Sequence, residues 1–413
     1  MSIQKKILLT GDKSISHRAL MLAAIAKGAT QIKNLCNSED LQSSIDCLKA
    51  CGVNILKNKK THIIASSSLS NPSISLNCGN SGTTIRLLTG LLAGQNIEAN
   101  LYGDASLMKR PMDRVIDPLK KMGANADWTN NQIVLKKSFI KGGEILNPTS
   151  SAQVKSSIIL AALGGEAKTI LTESYNTRDH TERMISFYNP NSIQSLAHEI
   201  TITPSKLGIN SMEIPGDISK ASFFIAYACL TPGSNIVLEN ILINPRRIGF
   251  ISALKEMGAN ITIDNKKIKY GEPVGNVHVK YKSRLKNIRV RAKSVRDMVD
   301  EIPILSIVAA LSRGVMSIEG LSELKLKESN RVLAITSNLK AMGSDIRENN
   351  NNIMIKGQKY LYNTNINTFS DHRIAMAFYI GSFFAKHTMI LDNIECIKVS
   401  FPDFFEKLEE IRA

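Results

Sequence analysis

The octapeptide LKEMGANI, residues 254–261, is one of four similar segments in the chain. In each copy a Leu-Lys pair and a sulfur-containing residue precede Gly, and a short apolar stretch follows. Glycine suits the end of a helix, where the backbone turns through a positive φ. Each copy therefore predicts an amphipathic helix that ends at its glycine, followed by strand. The copies are LKACGVNI (48–55), LKKMGANA (119–126), LKEMGANI (254–261) and LKAMGSDI (339–346).

A second series of helices, apolar on all sides, is predicted in step with the first. Such helices must be enclosed by other elements. A short strand follows each of them, so one repeating unit contains a buried helix, a strand, an amphipathic helix and further strand. The buried helices are predicted in DKSISHRALMLAAIA (12–26), NSGTTIRLLTGLLA (80–93), SSAQVKSSIILAAL (150–163), GDISKASFFIAYACL (216–230), VDEIPILSIVAALS (299–312) and SDHRIAMAFYIGSFF (370–384).

Two weaker copies complete a set of six units. A degenerate copy is predicted around MISFYNPNSI (184–193), and a truncated one in FFEKLEEIRA (404–413). Solenoid repeats are usually about 20 to 50 residues long, whereas these units have about 70. An open array is the alternative. We favour an α/β (α+β) fold with two similar globular domains, each of three units wrapped around buried helices.

Composition narrows the classes of partner. The 413 residues include 52 Lys and Arg against 36 Asp and Glu, a formal charge of +16. This excess suits nucleic acid or small anionic substrates, but 5% aromatic content disfavours base-stacking surfaces. No apolar run approaches the roughly 18 residues of a membrane span. The six cysteines form no CxxC pair and no HExxH motif occurs, so we expect a reduced, cytoplasmic protein without a metal.

The predicted amino ends of the buried helices are unusually polar. A helix amino end carries a partial positive charge and free N–H groups, which favour anions. Each position alone is equally consistent with an ordinary helix cap. In two facing globules these ends would meet in one cleft, so the repeated pattern predicts an anion site there. The amphipathic helices are also predicted to begin with cations, namely Lys109, Arg110, Arg178, Lys327 and Arg331.

An ordered set of motifs between about Gly11 and Phe405 resembles the EPSP synthase (3-phosphoshikimate 1-carboxyvinyltransferase) family. The resemblance implies an enolpyruvyl transferase-like fold of two domains, each with three βαβαββ units around parallel helices. Residues 12–214 would form the first domain, and residues 1–11 with 215–413 the second. The motifs are GDKSISHRA, NCGNSGTTIR, GDASLMKRPM, SSAQVKSSIILAAL, TRDHTERM, VDEIPILSIVAAL, LKLKESNR and SDHRIAM.

The resemblance also implies a reaction of aromatic amino-acid biosynthesis. The enolpyruvyl group of phosphoenolpyruvate is transferred to the 5-hydroxyl of shikimate 3-phosphate, and phosphate is released. The first domain would mainly hold shikimate 3-phosphate; the second would supply acid and base groups and part of the phosphoenolpyruvate site. We expect a monomer that requires no cofactor and has no nucleic-acid or membrane partner.

Residue roles follow from the resemblance alone. Asp300 corresponds to the base for the 5-hydroxyl, Glu328 to the acid that protonates C3, and Lys13 to a catalytic group between both substrates. His17, His180 and His372 are expected to be structural. The shikimate 3-phosphate set is Lys13, Ser14, Arg18, Ser151, Ala152, Gln153, Arg178, Asp300 and Lys327. The phosphoenolpyruvate set is Lys13, Asn80, Gly82, Arg110, Gln153, Arg331 and Arg373.

Some positions depart from the family pattern. Asn330 stands where many members have Asp, and Val399 where many have a Lys, with Lys398 one position away. Gly82 stands where a glyphosate-insensitive branch tends to have Ala, so we expect glyphosate to inhibit this enzyme.

Two other functions stay open. A sister enzyme that uses a UDP-amino sugar has a loop cysteine, and a Lys-Asn pair in place of Lys13-Ser14. An RNA-binding protein is the alternative from another class.

Overall fold

The computed structural model describes residues 4–65, 68–147, 149–362 and 364–412. They form two compact units. The amino-terminal unit contains Thr10–Ile214 and Ile268–Glu272, and the carboxy-terminal unit contains the described residues up to Leu9, Pro215–Lys267 and those from Pro273 onward. Residues 10, 11 and 268–272 thus lie in the amino-terminal unit, whereas the predicted division placed them in the second domain. Residues 1–3 and 413 of that prediction lie outside the described residues.

The helices of the amino-terminal unit alternate between buried and half-exposed, as predicted. Side-chain caps start the buried ones: the Asp12, Ser81 and Ser151 side chains accept from backbone amides at 2.9, 3.1 and 3.4 Å. The buried helices at 12–26, 80–93 and 150–163 are confirmed. The helices are α1 (Lys13–Ala24), α2 (Glu39–Ala50), α3 (Gly82–Gly94), α4 (Asp113–Lys121), α5 (Ala152–Leu163) and α6 (His180–Tyr188).

Small residues allow two of the buried helices to approach closely. A Cβ on Gly90 of α3 would lie 2.1 Å from the carbonyl oxygen of Ser157 in α5. One turn later, a Cβ on Gly94 would lie 2.6 Å from the carbonyl oxygen of Ala161. Any larger side chain here would therefore separate α3 from α5, which together carry several candidate site residues at their amino ends.

The strand that precedes α1 belongs to the other unit's sheet. This strand, β1 (Lys5–Leu8), pairs in parallel with residues 236–239 of the carboxy-terminal unit. The other strands up to residue 213 are β2 (Ala29–Lys33), β3 (Asn54–Asn58), β4 (Thr61–Ala65), β5 (Leu76–Asn77), β6 (Ala99–Tyr102), β7 (Asn125–Thr129), β8 (Gln132–Lys136), β9 (Gly143–Asn147), β10 (Thr169–Glu173), β11 (Ile193–Leu196), β12 (Glu199–Ile202) and β13 (Ser211–Glu213).

These strands form similar four-stranded sheets, ordered β13-β2-β4-β3, β5-β6-β8-β7 and β11-β12-β10-β9. In each sheet one edge pair is parallel and the remaining pairs are antiparallel. Gly143 of β9, for example, is in register with Thr169 of β10. The strand β13 precedes the first helix of the carboxy-terminal unit (residues 218–230) but pairs with β2 of the amino-terminal unit. Each of β1 and β13 therefore precedes the helices of one unit and belongs to a sheet of the other.

The carboxy-terminal unit repeats the pattern with one truncated copy. Its helices are α7 (Ile218–Leu230), α8 (Gly249–Glu256), α9 (Ala292–Val295), α10 (Ile302–Leu311), α11 (Arg331–Ala341), α12 (His372–Ser382) and α13 (Phe404–Arg412). Its strands are β14 (Asn235–Leu242), β15 (Asn260–Lys269), β16 (Glu272–Lys280), β17 (Arg289–Val290), β18 (Val315–Ile318), β19 (Ile346–Asn349), β20 (Asn352–Lys356), β21 (Asn365–Ile366) and β22 (Ile390–Leu391).

Its sheets are ordered β1-β14-β16-β15, β17-β18-β20-β19 and β21-β22. The weaker copies are confirmed as helices: α6 ends at Tyr188, and α13 covers residues 404–412. The glycines of the four octapeptides, residues 52, 123, 258 and 343, have φ of 86°, 98°, 99° and 79°, which confirms their predicted turn. In the described part of the chain no helix is long and apolar enough to cross a membrane.

Candidate active site

Several candidate residues of the amino-terminal unit lie where its buried helices begin. Lys13, Gly82 and Ala152 are the first residues of α1, α3 and α5. We call the following side chains and glycine the amino-terminal cluster: Lys13, Ser14, Arg18, Asn80, Gly82, Arg86, Arg110, Ser151, Ala152, Gln153 and Arg178.

Arg18 joins three helices although it is only 3% exposed. Its Nε donates to Oγ1 of Thr181 in α6 at 2.8 Å, and its Nη2 to Oγ of Ser156 in α5 at 2.7 Å. Its Nη1 donates to the carbonyl oxygen of Ser14 at 2.8 Å. These bonds fix the planar guanidinium, and all three acceptors are neutral oxygens.

Lys13 and His17 connect α1 to α2. Lys13 Nζ lies 2.7 Å from Oδ2 of Asp40. His17 is fully buried, and its Nδ1 lies 2.8 Å from Oγ of Ser44, which in turn lies 2.7 Å from Oγ1 of Thr84 in α3. Desolvation lowers the pKa of His17 to about 3, so its imidazole is neutral near pH 7. This agrees with the structural role expected of it.

A second group of side chains surrounds Gly82. Arg110 Nη2 donates to Oδ1 of Asn80 at 2.5 Å, and Asn80 Nδ2 donates to Oδ2 of Asp104 at 2.6 Å. A Cβ at Gly82 would lie 3.2 Å from Arg110 Nη1 and 2.9 Å from Arg86 Nη1. Gly82 thus leaves space directly beside two guanidinium groups.

Arg86 is a candidate site residue that the sequence analysis did not identify. Its Nη1 donates to Oε1 of Gln153 at 2.5 Å, and Gln153 Nε2 donates to Oγ1 of Thr83 at 2.9 Å. The available signal was a charged residue within an otherwise apolar helix, at the end of the motif NSGTTIR. An arginine there needs polar partners, which a neighbouring helix had to supply.

The sequence predicts that five cations begin the amphipathic helices, but only one of them does. Arg331 is the first residue of α11, but α4 begins at Asp113, after Lys109 and Arg110. Arg178 is half-buried in the loop between β10 and α6, and Lys327 precedes α11. The prediction of helix starts was wrong at these positions because 3₁₀ turns and loops come first.

In the carboxy-terminal unit, a buried arginine organises the candidate residues. Arg331 is 0% exposed, and its Nε donates to Oδ2 of Asp371 at 2.8 Å. Its Nη2 donates to Oε2 of Glu328 at 2.7 Å, and its Nη1 lies 3.4 Å from Oδ1 of Asp300. We call Asp300, Lys327, Glu328, Arg331, Asp371 and Arg373 the carboxy-terminal cluster.

Electrostatics keep the centre of this cluster charged. Burial alone would lower the pKa of Arg331, but the three surrounding carboxylates outweigh burial and raise it. Burial would raise the pKa of Asp371, but the charge and hydrogen bond of Arg331 lower it. Asp371 also caps α12 by accepting from the Arg373 amide at 2.9 Å. Arg331 and Asp371 therefore form a fixed ionic centre, and Asp371 was another residue absent from the predicted site.

Two proton-transfer candidates lie at the edge of this centre. Asp300 is in a 3₁₀ turn (Arg296–Glu301) directly before α10, and its side chain is 14% exposed. Arg373 approaches it twice, with Nε 3.8 Å from Asp300 Oδ1 and Nη1 3.4 Å from its carbonyl oxygen. The Glu328 side chain is 31% exposed. Both carboxylates are oriented by arginine and remain accessible to a substrate.

A family model for EPSP synthase (3-phosphoshikimate 1-carboxyvinyltransferase) matches residues 1–408. The chain belongs to the EPSP synthase family. It is 40% identical to the 3-phosphoshikimate 1-carboxyvinyltransferase of Oceanobacillus iheyensis, with 99% of this chain and 97% of that protein covered. The enzyme of the same name from Thermodesulfovibrio yellowstonii is 42% identical, with coverages of 97% and 95%.

Solved structures of the family agree with these sequence matches. EPSP synthase from Acinetobacter baumannii superposes with a TM-score of 0.89 at 36% identity, covering 99% of this chain and 96% of that one. The predicted family, fold class and enzyme class are thereby confirmed. Shikimate 3-phosphate and phosphoenolpyruvate follow from the EPSP synthase family as substrates.

One departure from the EPSP synthase pattern has a structural explanation. Asn330 caps α11, with its Oδ1 accepting from the Leu333 amide at 3.1 Å, so it performs a role that Asp would also fill. Lys398 lies 2.5 Å from Glu395 in an exposed ion pair. Nothing in the structure explains Val399.

The cysteines give no support to the UDP-amino-sugar alternative. All six lie within the described residues, where they are buried and form no disulfide. Burial raises the pKa of Cys51 and of Cys229 to about 12, so these thiols are protonated near pH 7.

Proposed function

We propose that this chain transfers the enolpyruvyl group of phosphoenolpyruvate to the 5-hydroxyl of shikimate 3-phosphate, using residues of both clusters. The observation that carries the proposal is the Arg331 centre. There a buried guanidinium orients two accessible carboxylates, Asp300 and Glu328, in a member of the EPSP synthase family. We infer that the enzyme acts as a cytoplasmic monomer and binds no nucleic acid.

Electrostatic compensation is the first task of the site. The substrates together carry a charge of about −5 to −6. Seven of the proposed cations offset it: Lys13, Arg18, Arg110, Arg178, Lys327, Arg331 and Arg373. Without them, repulsion between the substrates would keep the reacting atoms apart.

Shikimate 3-phosphate is assigned mainly to the amino-terminal cluster. The α5 amino end supplies Ser151, Ala152 and Gln153, and helix amino ends favour phosphate. Arg18 presents a guanidinium that its hydrogen bonds to Thr181, Ser156 and the Ser14 carbonyl hold in place, and a planar guanidinium matches phosphate geometry. The remaining assigned residues are Lys13, Ser14, Arg178, Asp300 and Lys327.

Phosphoenolpyruvate is assigned to planar arginine forks, which match carboxylate and phosphate geometry. In the amino-terminal cluster these are Arg110 and the newly found Arg86, which flank the space at Gly82. The remaining assigned residues are Lys13, Asn80, Gln153, Arg331 and Arg373.

Proton transfer is assigned to the accessible carboxylates. Asp300 takes the proton of the 5-hydroxyl as its oxygen attacks C2 of phosphoenolpyruvate, and Glu328 donates a proton to C3. The C2–O bond that forms gives a tetrahedral intermediate. Glu328, now a carboxylate, then takes a proton back from C3 as the bond between C2 and the phosphate oxygen breaks and the double bond is restored. The proton on Asp300 passes to the departing phosphate, so both carboxyl groups return to their starting states.

Phosphate release from phosphoenolpyruvate tests the proposal. It should require shikimate 3-phosphate, and Asp300→Asn and Glu328→Gln should each lower kcat by about 10²- to 10⁴-fold. Asp345→Asn, which changes a half-exposed surface carboxylate of the same unit, is the control and should be unaffected. Release that is independent of shikimate 3-phosphate, or full activity in both variants, would refute the proposal.

A further inference from the structure

A charged side chain is enclosed within the amino-terminal unit next to the cluster. Lys155 in α5 is 0% exposed. Its Nζ lies 2.6 Å from Oε1 of Glu182 in α6 and 3.0 Å from Oε2 of Glu173 at the end of β10. It also donates to the carbonyl oxygen of Thr177 at 3.4 Å. Three oxygens from three successive segments thus surround one ammonium group.

The same contacts fix the loop that carries Arg178. Thr177 Oγ1 donates to Oε1 of Glu173 at 2.7 Å, so Thr177 is held through both its hydroxyl and its carbonyl. Arg178 is the next residue. Lys155 itself lies one turn from Ser151, the cap of α5. The ammonium therefore links the loop before α6 to the helix end that presents Gln153.

Stability alone does not account for a buried ion group of this kind. Removing charges from water costs several kcal/mol per ion, and well-packed apolar side chains are often equally stable. The ion pairs also fix geometry, because each hydrogen bond of the ammonium group holds a particular oxygen in place. The position that is set here is that of the loop backbone beside Arg178.

We propose that Lys155 is a positioning residue for shikimate 3-phosphate. Through Glu173 and Thr177 it holds the Arg178 loop at a fixed distance from the amino end of α5, so that both bind the same substrate. This inference rests on the proposed function, in which Arg178 and the α5 end bind shikimate 3-phosphate. Phosphoenolpyruvate is assigned to other groups and should be little affected.

Thr177→Val is the main test, because valine has nearly the same shape and lacks the hydroxyl. Loss of the hydrogen bond from the Thr177 hydroxyl to Glu173 should displace the Arg178 loop. It should raise KM for shikimate 3-phosphate about 10-fold, since displacements of an ångström weaken binding strongly. KM for phosphoenolpyruvate and kcat should stay within about twofold. Thr177→Ser, which keeps the hydroxyl, should restore the wild-type KM.

Thr89→Val is the matched control. Thr89 is buried in the same unit and its hydroxyl donates to the Ile85 carbonyl within α3 at 2.6 Å, so it orders no loop. It should leave both KM values unchanged. A rise in both KM values in Thr177→Val, or an unchanged KM for shikimate 3-phosphate, would overturn the positioning role.

Arg178→Met distinguishes the positioning role of Lys155 from the shikimate 3-phosphate-binding role assigned to Arg178. If it raises KM for shikimate 3-phosphate and Thr177→Val does not, the positioning role fails while the assigned binding role stands. If Arg178→Met has no effect, the binding role fails, and the positioning role fails with it. Lys155→Met is not used as the main test, because it leaves two buried glutamates without their cation and is expected to impair folding.

Discussion

The two clusters orient their arginines by opposite means. In the amino-terminal cluster, Arg18 and Arg110 donate to hydroxyl, carbonyl and amide oxygens. In the carboxy-terminal cluster, Arg331 donates to carboxylates, and Arg373 lies beside one. A neutral acceptor positions a guanidinium and leaves its charge in place, whereas a carboxylate also compensates that charge.

This difference suggests a division of labour within a single repeated architecture. Arginines ordered by neutral oxygens suit the capture of a polyanion, since they form charge-assisted hydrogen bonds to phosphate. Carboxylates ordered by arginine suit proton transfer, because they are in place before the substrate arrives. The two units have similar helices and sheets, so the partners of the arginines distinguish them.

The largest expected effect comes from removing the central carboxylate. Asp371→Asn keeps an oxygen that caps α12 but removes the most deeply buried of the three carboxylates around Arg331, which should cost about 3 to 5 kcal/mol of unfolding free energy. Asn80→Ala removes the neutral partner of Arg110 and should cost about 1 kcal/mol. Urea unfolding of both variants measures the contrast, and equal losses would break it.

Substrate capture gives the next effect. Arg18→Met should raise KM for shikimate 3-phosphate by about 100-fold, the equivalent of roughly 2.7 kcal/mol, because charge-assisted hydrogen bonds are lost. KM for phosphoenolpyruvate should change little. Steady-state kinetics with each substrate varied in turn are the measurement, with exposed Arg313→Met as the control. A parallel rise in both KM values would indicate general disruption instead of selective capture.

His17, which lies beside the amino-terminal cluster in α1, and Asp371 of the carboxy-terminal cluster should also differ in their response to acid. Burial lowers the pKa of His17 to about 3. As the pH falls, this imidazole is therefore protonated in the unfolded chain before it is protonated in the folded protein, and stability falls as the pH drops below about 6.5. The loss is about 1.4 kcal/mol per pH unit, or roughly 2 kcal/mol between pH 6.5 and 5. Asp371 has its pKa lowered from 3.8, so its contribution is lost only as the pH falls below that value.

His17→Gln should therefore flatten the decline in stability between pH 6.5 and 5, as followed by urea unfolding at several pH values. His387→Gln, at an exposed position, should retain the wild-type slope. An equal slope in wild type and His17→Gln would show that this histidine does not titrate on unfolding.

The smallest effect concerns the space at Gly82. Glyphosate should inhibit the wild-type enzyme, and Gly82→Ala should raise its inhibition constant about 10-fold, or roughly 1.4 kcal/mol. The added methyl would meet Arg86 and Arg110 at 2.9 and 3.2 Å. Gly208→Ala, where a Cβ meets nothing within 4 Å, is the control. Inhibition assays in which both variants behave alike, or a wild type indifferent to millimolar glyphosate, would contradict the prediction.

Much of the site was predictable because its residues stand at repeated positions. Lys13, Gly82 and Ala152 begin equivalent helices, so their locations follow from the repeat. Arg86 and Asp371 were missed for different reasons. Arg86 lies one turn inside a buried helix, where apolar side chains are the rule, and Asp371 has the sequence signature of an ordinary helix cap.

The sequence alone determined the six-unit α/β plan, the buried helices, their caps and the glycine turns. These features depend on contacts a few residues apart, which local periodicity and backbone preferences describe. The tertiary structure decided which oxygen each cation meets: Arg18 bonds Thr181 across 163 positions, and Arg331 bonds Asp371 across 40. Such pairings require helices from distant parts of the chain to pack first, and no local pattern records them.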